Sequence, residues 1–165
     1  MDQGQDHGRT EPAPDAELLL VVHVAGRRFA LRASDVAEVH RMVRVSPLPE
    51  APDAVTGVID IRGMVVPVLD LRSRLGVAAR QAHPDDRLVV VMAAERRLAL
   101  HVEHTVEALS ARIEDLEHHL SAGVSYAAGL VRRPDGVVFV HDIEAFLAAD
   151  ELSALDDALA TRVTA

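Results

Sequence analysis

"GVIDIRGMVVPVLDLR", residues 57–72, sets two apolar runs on either side of an Arg-Gly pair and closes on an acidic-basic cluster. Its length and punctuation predict a strand, a tight turn at Gly63 and a second strand. Successive side chains of a strand alternate, which puts Val58, Asp60 and Arg62 on one face and Ile59 and Ile61 on the other. Pro67 has no backbone donor and is expected at an edge or a bulge. Asp70 is expected to cap a short helix over residues 71–75. Asp60 and Arg62 have no comparable local task. They are charges on a strand face beside a turn glycine, which makes them candidates for recognition.

The stretch is one copy of a repeat, and a repeat changes what each motif inside it means. "VVHVAGRRFALRASDVAEV" (21–39) and "VVVMAAERRLALHVEHTVEA" (89–108) share a core at Arg27 and Arg96, 69 residues apart. Gly57 to Asp70 and Gly129 to Asp142 each span 13 residues, with the offset now 72. "VLDLRSRL" (68–75) matches "VHDIEAFL" (140–147), so Asp142 is expected to cap residues 143–148 as Asp70 caps its own turn. Each half opens with a hairpin pattern whose polar turn falls at residues 25–27 or 94–96.

The first half continues with "ASDVAEVH", where Asp35 and Glu38 stand as a helix cap and its reciprocal partner would. The Pro-rich residues 46–55 read as a surface loop. Short strands and turns in two halves, about 18–77 and 87–149, predict a mainly β chain of two small packed barrels. Residues 77–86, "VAARQAHPDD", link them. Residues 1–17 read as a disordered polar tail. In residues 150–165, Leu152, Leu155, Leu159 and Val163 recur at helical spacing, so an amphipathic helix is expected to dock on the barrels or on a partner. If that stripe covers a barrel edge, deleting it is expected to strengthen partner binding.

Composition excludes several classes of function. At 165 residues the chain holds one ordinary domain or two small ones, and 49% hydrophobic with 26% charged residues is a globular balance. A formal charge of −9, with one Tyr, three Phe and no Trp, disfavours nucleic acid. No apolar run approaches the ~20 residues that span a bilayer, and the polar, acidic start does not resemble a signal peptide, so a cytoplasmic chain without membrane insertion is expected. There is no cysteine, hence no disulfide and no thiol nucleophile. All 17 basic residues are Arg and Asn is absent, a usage that follows from a GC-rich genome.

Nine histidines raise the question of metal. His101 and His104 with Glu103, and His118 and His119 after Glu117, have suitable chemistry. Their spacing does not suit a site: His101 and His104 face opposite ways in a strand, and adjacent histidines share no helix face. No metal or other cofactor is expected. There is no phosphate loop, no nucleophile elbow and no HExxH, so nothing supports an enzyme.

"GVIDIRGMVVPVLDLRSRLG" resembles the signature of the CheW family, the adaptors of bacterial chemosensory arrays, in which Asn-Leu-Arg-Gly precedes Pro-Val-x-Asp-Leu-Arg. The likeness extends over residues 18 to about 149, with "LALHVEHTVEAL" similar to another family motif. Asp60 stands where Asn is usual, Ala99 where Gly is common and Glu103 where Asp is common. The resemblance implies two five-stranded SH3-like barrels, no enzymatic activity and no cofactor. It implies two partners: the regulatory domain of a CheA-type histidine kinase, and the cytoplasmic tips of methyl-accepting receptors at membrane-associated arrays. It also implies receptor-facing positions at Val36, Glu38, Gly57 and Arg62, to which the neighbouring Asp60 is added.

A guanidinium presents five donors in a planar fork, which suits Arg62 to an acidic helical hairpin. The alternative is an internal ion pair with Asp60 or Glu38. An exposed Val36 beside Ile59 or Val58 would supply an apolar centre for such a groove. Gly57, at a strand start, is equally explained by its backbone. In the second half "VVVM" and "LAL" are candidate edge strands for pairing with the kinase. The same module could serve a circuit controlling pilus motility, development or cyclic dinucleotide synthesis, or act as a decoy competing for receptors.

Overall fold

A computed structural model describes residues 14–114, 127–147 and 149–163. The order of elements is β1 Glu17–Val24, β2 Arg27–Arg32, β3 Val36–Arg41, β4 Val55–Ile61 and β5 Met64–Asp70, then β6 Arg87–Ala93, β7 Arg96–Val102, β8 His104–Ala111, β9 Ala127–Arg133 and β10 Gly136–His141, ending in helix α1 Ala149–Val163. Of the four two-residue hairpin loops among the described residues, those joining β1 to β2, β4 to β5 and β6 to β7 share one geometry. Both residues of each of these three have positive φ: Ala25 and Gly26, Arg62 and Gly63, Ala94 and Glu95. This is the pattern of the turn that matches the twist of a hairpin.

The two sheets do not coincide with the two sequence halves. One has the order β8-β1-β2-β10-β9 and the other β3-β6-β7-β5-β4. Each therefore joins the opening hairpin of one half to the last three strands of the other. The parallel ladders that make these joins sit at equivalent places: Val68 pairs with Ala99, and Val140 with Ala30. Turn chemistry fixes a hairpin locally, but nothing local records which half supplies the remaining strands. The barrels are thus interleaved rather than consecutive.

Each sheet is closed by an isolated bridge between its edges, Ser46 to Val58 in one and Glu114 to Leu130 in the other. The chains pass closely there, and a glycine precedes each bridged residue of β4 and β9. A Cβ on Gly57 would lie 2.2 Å from the Ser46 carbonyl oxygen, and one on Gly129 would lie 2.3 Å from Ile113 Cγ2. The repeated glycine is therefore a repeated close approach.

Burial explains the near-continuous apolar runs. In β6, Leu88 and Val90 enter the interior of one barrel, while Val89 and Val91 enter a central core between the sheets. Leu19, Val21 and Val140 belong to the interior of the other barrel. Strands covered on both faces lose the polar alternation of a half-exposed strand.

Several local expectations are corrected. Asp35 ends a 3-10 turn, Ala33–Asp35, and Glu38 lies on β3, so the two do not cap a helix. Residues 71–76 form successive turns in place of a short helix. Asp70 still accepts the Arg72 amide at 3.0 Å. Asp142 accepts the Glu144 amide at 3.0 Å at the head of a 3-10 turn, Glu144–Phe146, shorter than the helix expected. Pro67 lies in a strand paired on both sides, opposite Val58, just before the β7 ladder begins at Val68, where no cross-strand donor is needed. β6 and β7 are interior strands, so "VVVM" and "LAL" are not edges. The N-terminal tail lies mostly outside the described residues, as do His118, His119 and Glu117.

His141, the counterpart of Leu69, is buried. Its Nδ1 lies 3.1 Å from the Phe139 carbonyl oxygen, and its ring meets Phe29 edge-on and stacks on Phe146. Burial pushes its pKa down to about 4, against a partial opposing effect of that carbonyl. A histidine held neutral in the fold contributes its full stability above its ordinary pKa of 6.5 and loses it as pH falls towards 4. By pH 5 the loss is on the order of 2 kcal/mol. His23 shifts the same way, through burial and the adjacent His104. Urea unfolding between pH 7 and 5 is expected to show the fall, and His141→Leu to flatten most of it. An equal fall in that variant would assign the acid sensitivity elsewhere.

Candidate functional site

The β4–β5 turn presents Arg62 at the mouth of one barrel. Asp60 Oδ1 accepts the Gly63 amide at 2.8 Å, which fixes the turn across its tip. Asp60 therefore has a local task that the sequence reading denied it, and it does not pair with Arg62. Arg62 instead reaches across to β3, where its Nη2 lies 3.2 Å from Glu38 Oε2. Arg97 Nη1 lies 3.7 Å from Glu38 Oε1. His40 Nε2 is 3.0 Å from Glu38 Oε2 without hydrogen-bond geometry.

One carboxylate thus gathers three basic side chains from β3, β7 and the turn. Glu38 is 21% exposed and Arg62 77% exposed. The guanidinium is tethered from below and open above, with donors left for a second carboxylate. Beside it His40, Val43, Ile59, Asp60, Ile61 and Arg62 line a shallow pocket of about 200 Å³.

The other expected positions do not join this surface. Val36 is half-buried and packs against the central core, so it offers no exposed apolar centre. Gly57 is buried under the Ser46 backbone and has no side chain to offer. Among the expected residues, the structure brings together Glu38, Asp60 and Arg62.

Three further features escaped the sequence reading. Met64, Val65 and Met92 stand exposed in a cleft of about 550 Å³ where the β4–β5 and β6–β7 hairpins diverge, with Leu155 and Leu159 of α1 along one wall. Arg72 is buried, its guanidinium shared between Asp70 and Glu103. Asp86 closes the end of the linker: Arg80 grips both its oxygens at 2.9 and 3.0 Å, and His101 Nε2 lies 2.7 Å away. Burial opposes the charge on Asp86, but Arg80, the His83 amide and His101 outweigh it and hold the carboxyl well below the usual range.

His101 is therefore engaged by Asp86, and the His104 ring packs on His23 at 4.9 Å. Among the described residues no group of three or more His, Asp or Glu could hold a metal ion. No described helix is long and apolar enough to cross a membrane.

The model of the CheW-like domain matches residues 18–151. The chain belongs to the CheW-like family. The chemotaxis protein CheW of Helicobacter pylori is 24% identical over 130 residues, covering 77% of this chain and 79% of that protein. Its counterpart in Klebsiella aerogenes is 22% identical over 142 residues, covering 84% and 86%. A probable chemotaxis protein CheW of Rhizobium etli is 32% identical over a shorter 79 residues, 48% of this chain and 50% of that one.

The crystal structure of the scaffolding protein TtCheW from Thermoanaerobacter tengcongensis superposes with a TM-score of 0.73 at 23% identity, over 82% of this chain and 95% of that one. The interleaved sheets are thus the CheW-like pair of five-stranded SH3-like barrels. Members of the family are non-catalytic scaffolds, and this CheW-like chain is a chemotaxis coupling adaptor.

Proposed function

We propose that this adaptor couples the tips of methyl-accepting receptors to the regulatory domain of a CheA-type histidine kinase at a membrane-associated array. In this reading Arg62, steadied by Glu38 and presented by the Asp60-capped turn, meets the receptor. The observation that carries it is the half-satisfied guanidinium at the barrel mouth, 77% exposed yet held in place by one carboxylate. A flexible exposed arginine would lose more freedom on binding, whereas a tethered one is already aimed. The kinase engages barrel surface outside this mouth, so that both partners can be held at once.

Co-sedimentation with receptor-containing membranes tests the proposal. The kinase is expected in the pellet only when the adaptor is added. Arg62→Ala is expected to weaken receptor association at least about tenfold, the order of effect of losing a well-placed charged contact. Its thermal unfolding should hardly move, because an exposed ion pair contributes only ~0–1 kcal/mol. A variant that unfolds early while binding the receptor normally would make Arg62 a structural residue.

A further inference from the structure

The segment from Val39 to Arg44 runs along an outer edge of the same barrel, since β3 is the terminal strand of its sheet. Two large apolar side chains stand out of it, Val39 at 44% and Val43 at 48% exposed. Arg41 and Arg44 are also exposed, and neither forms an ion pair among the described residues. Arg41 lies directly opposite Arg87 on β6, a like-charge cross-strand pair. Arg87 does not relieve it with a carboxylate: its Nη1 donates to the carbonyl oxygens of Asp85 and Asp86 at 2.7 and 3.0 Å.

Opposed like charges destabilise a sheet, and this chain has acidic residues to spare, 26 against 17 arginines. Several arginines on other strand surfaces are matched: Arg28 with Asp135, Arg32 with Glu17, Arg133 with Glu107. The opposed pair lies on the edge that adjoins the Arg62 pocket, of which Val43 is itself a lining residue.

We infer that the Val39–Arg44 edge docks an acidic amphipathic helix, whose apolar ridge covers Val39 and Val43 and whose carboxylates meet Arg41, Arg44 and Arg87. The inference rests on the proposed function, in which that helix belongs to the receptor hairpin already held by Arg62. Complementary charge of this kind steers encounter and fixes register, and its contribution is screened by salt. A charged edge also discourages strand-to-strand aggregation, but either sign of charge does that, so reversing the sign separates the two roles.

The test is the affinity of the full chain for a receptor cytoplasmic fragment, at low and high salt. It compares wild type, Arg41→Glu/Arg44→Glu, the neutral Arg41→Gln/Arg44→Gln, and Arg62→Ala. The reversed variant is expected to bind at least about tenfold more weakly at low salt and to lose most of the salt dependence, with the neutral variant between. Both double variants relieve the Arg41–Arg87 opposition, so melting temperatures should hold or rise slightly and weaker binding cannot come from unfolding; the neutral variant keeps the test open if the reversed one fails to fold. Unchanged affinity in both double variants, with Arg62→Ala still weakened, overturns the edge site and leaves the receptor reading standing. A wild type that binds no receptor fragment overturns both. Flotation with vesicles containing phosphatidylglycerol, lost in the reversed variant while receptor affinity persists, overturns the helix in favour of an anionic membrane.

Discussion

Arg72→Met is expected to lower the stability of the fold by about 3–5 kcal/mol, the usual loss on breaking a buried ion pair from one side. Arg72 is only 2% exposed. Its Nη1 donates to Asp70 Oδ1 at 3.3 Å and its Nη2 to Glu103 Oε1 at 3.0 Å. Glu103 in turn accepts the amides of Gly26 and Ala25, and its own amide donates to the His23 carbonyl oxygen at 2.8 Å. Burial works against the Glu103 charge, but Arg72 and those two amides hold its carboxyl below the ordinary range.

One cation therefore ties the end of β5, the β7–β8 junction and the β1–β2 turn, which belong to different sheets. Methionine fills the space but leaves two carboxylates facing each other without a counter-charge. Lysine should fare little better, because one ammonium cannot reproduce a fork that reaches both oxygens. Urea unfolding of Arg72→Met, Glu103→Gln and the pair makes the check. The double variant should lose less than the two losses added, by about 0.5–3 kcal/mol for groups in one network. Strict additivity would show that Arg72 acts by packing alone. The equivalent place in the second half is filled by Glu144, whose Oε1 accepts the Ala94 amide directly at 2.8 Å. The two equivalent turns are each hooked, β6–β7 by a carboxylate alone and β1–β2 by a carboxylate that an arginine holds.

That pair of hooks shows what the sequence could and could not disclose. The hairpins were legible because their turns are short and their flanks apolar, and the repeat was legible from Arg27/Arg96 and Gly57/Gly129. The exchange of strands between halves was not, since Val68 meeting Ala99 and Val140 meeting Ala30 are long-range choices without a local mark. Arg62 and Glu38 could be named from the resemblance, and the structure puts them 3.2 Å apart. Asp60 was read as a free charge because an aspartate accepting an amide three residues on looks, in sequence, like any polar strand position. Arg72 went unnoticed for the opposite reason: a charge after a strand is assumed to be solvated, and only the packing shows it enclosed. For Val36 and Gly57 the sequence leaves a structural role as open as a receptor contact, and only the packing shows Val36 half-buried against the central core and Gly57 buried at the Ser46 crossing.

Deleting residues 149–165, and with them α1, is expected to destabilise the chain by at least about 4 kcal/mol, and so to impair partner binding, the opposite of what a stripe covering a barrel edge would give. The stripe of Leu152, Leu155 and Leu159 does not lie over a barrel edge. Leu155 is fully buried and Ala158 nearly so, in the central core with Leu98, Leu100 and Phe146, while Leu152 and Leu159 pack against its margin. Arg74 pairs with Glu151 and Arg96 with Asp156, fastening the helix to the β5 exit and the β6–β7 hairpin.

Losing one buried leucine costs about 2–5 kcal/mol, a large share of the ~5–15 kcal/mol that holds an ordinary domain together. Deletion also uncovers the leucines and Phe146 beneath and takes away one wall of the cleft beside Met64 and Met92. Leu155→Ala separates burial from tethering, since it keeps the helix and both ion pairs; it should account for most of the loss, about 2–4 kcal/mol. Ser153→Ala, on the exposed face, should do almost nothing. If the truncated chain unfolds at the same urea concentration as the intact one, α1 is a detachable cover, and its leucines contribute nothing to the core they touch. The expected result makes the helix the piece that seals the joint between two interleaved barrels, so that the surface proposed to meet receptor and kinase depends on a segment fastened elsewhere, at Arg74 and Arg96.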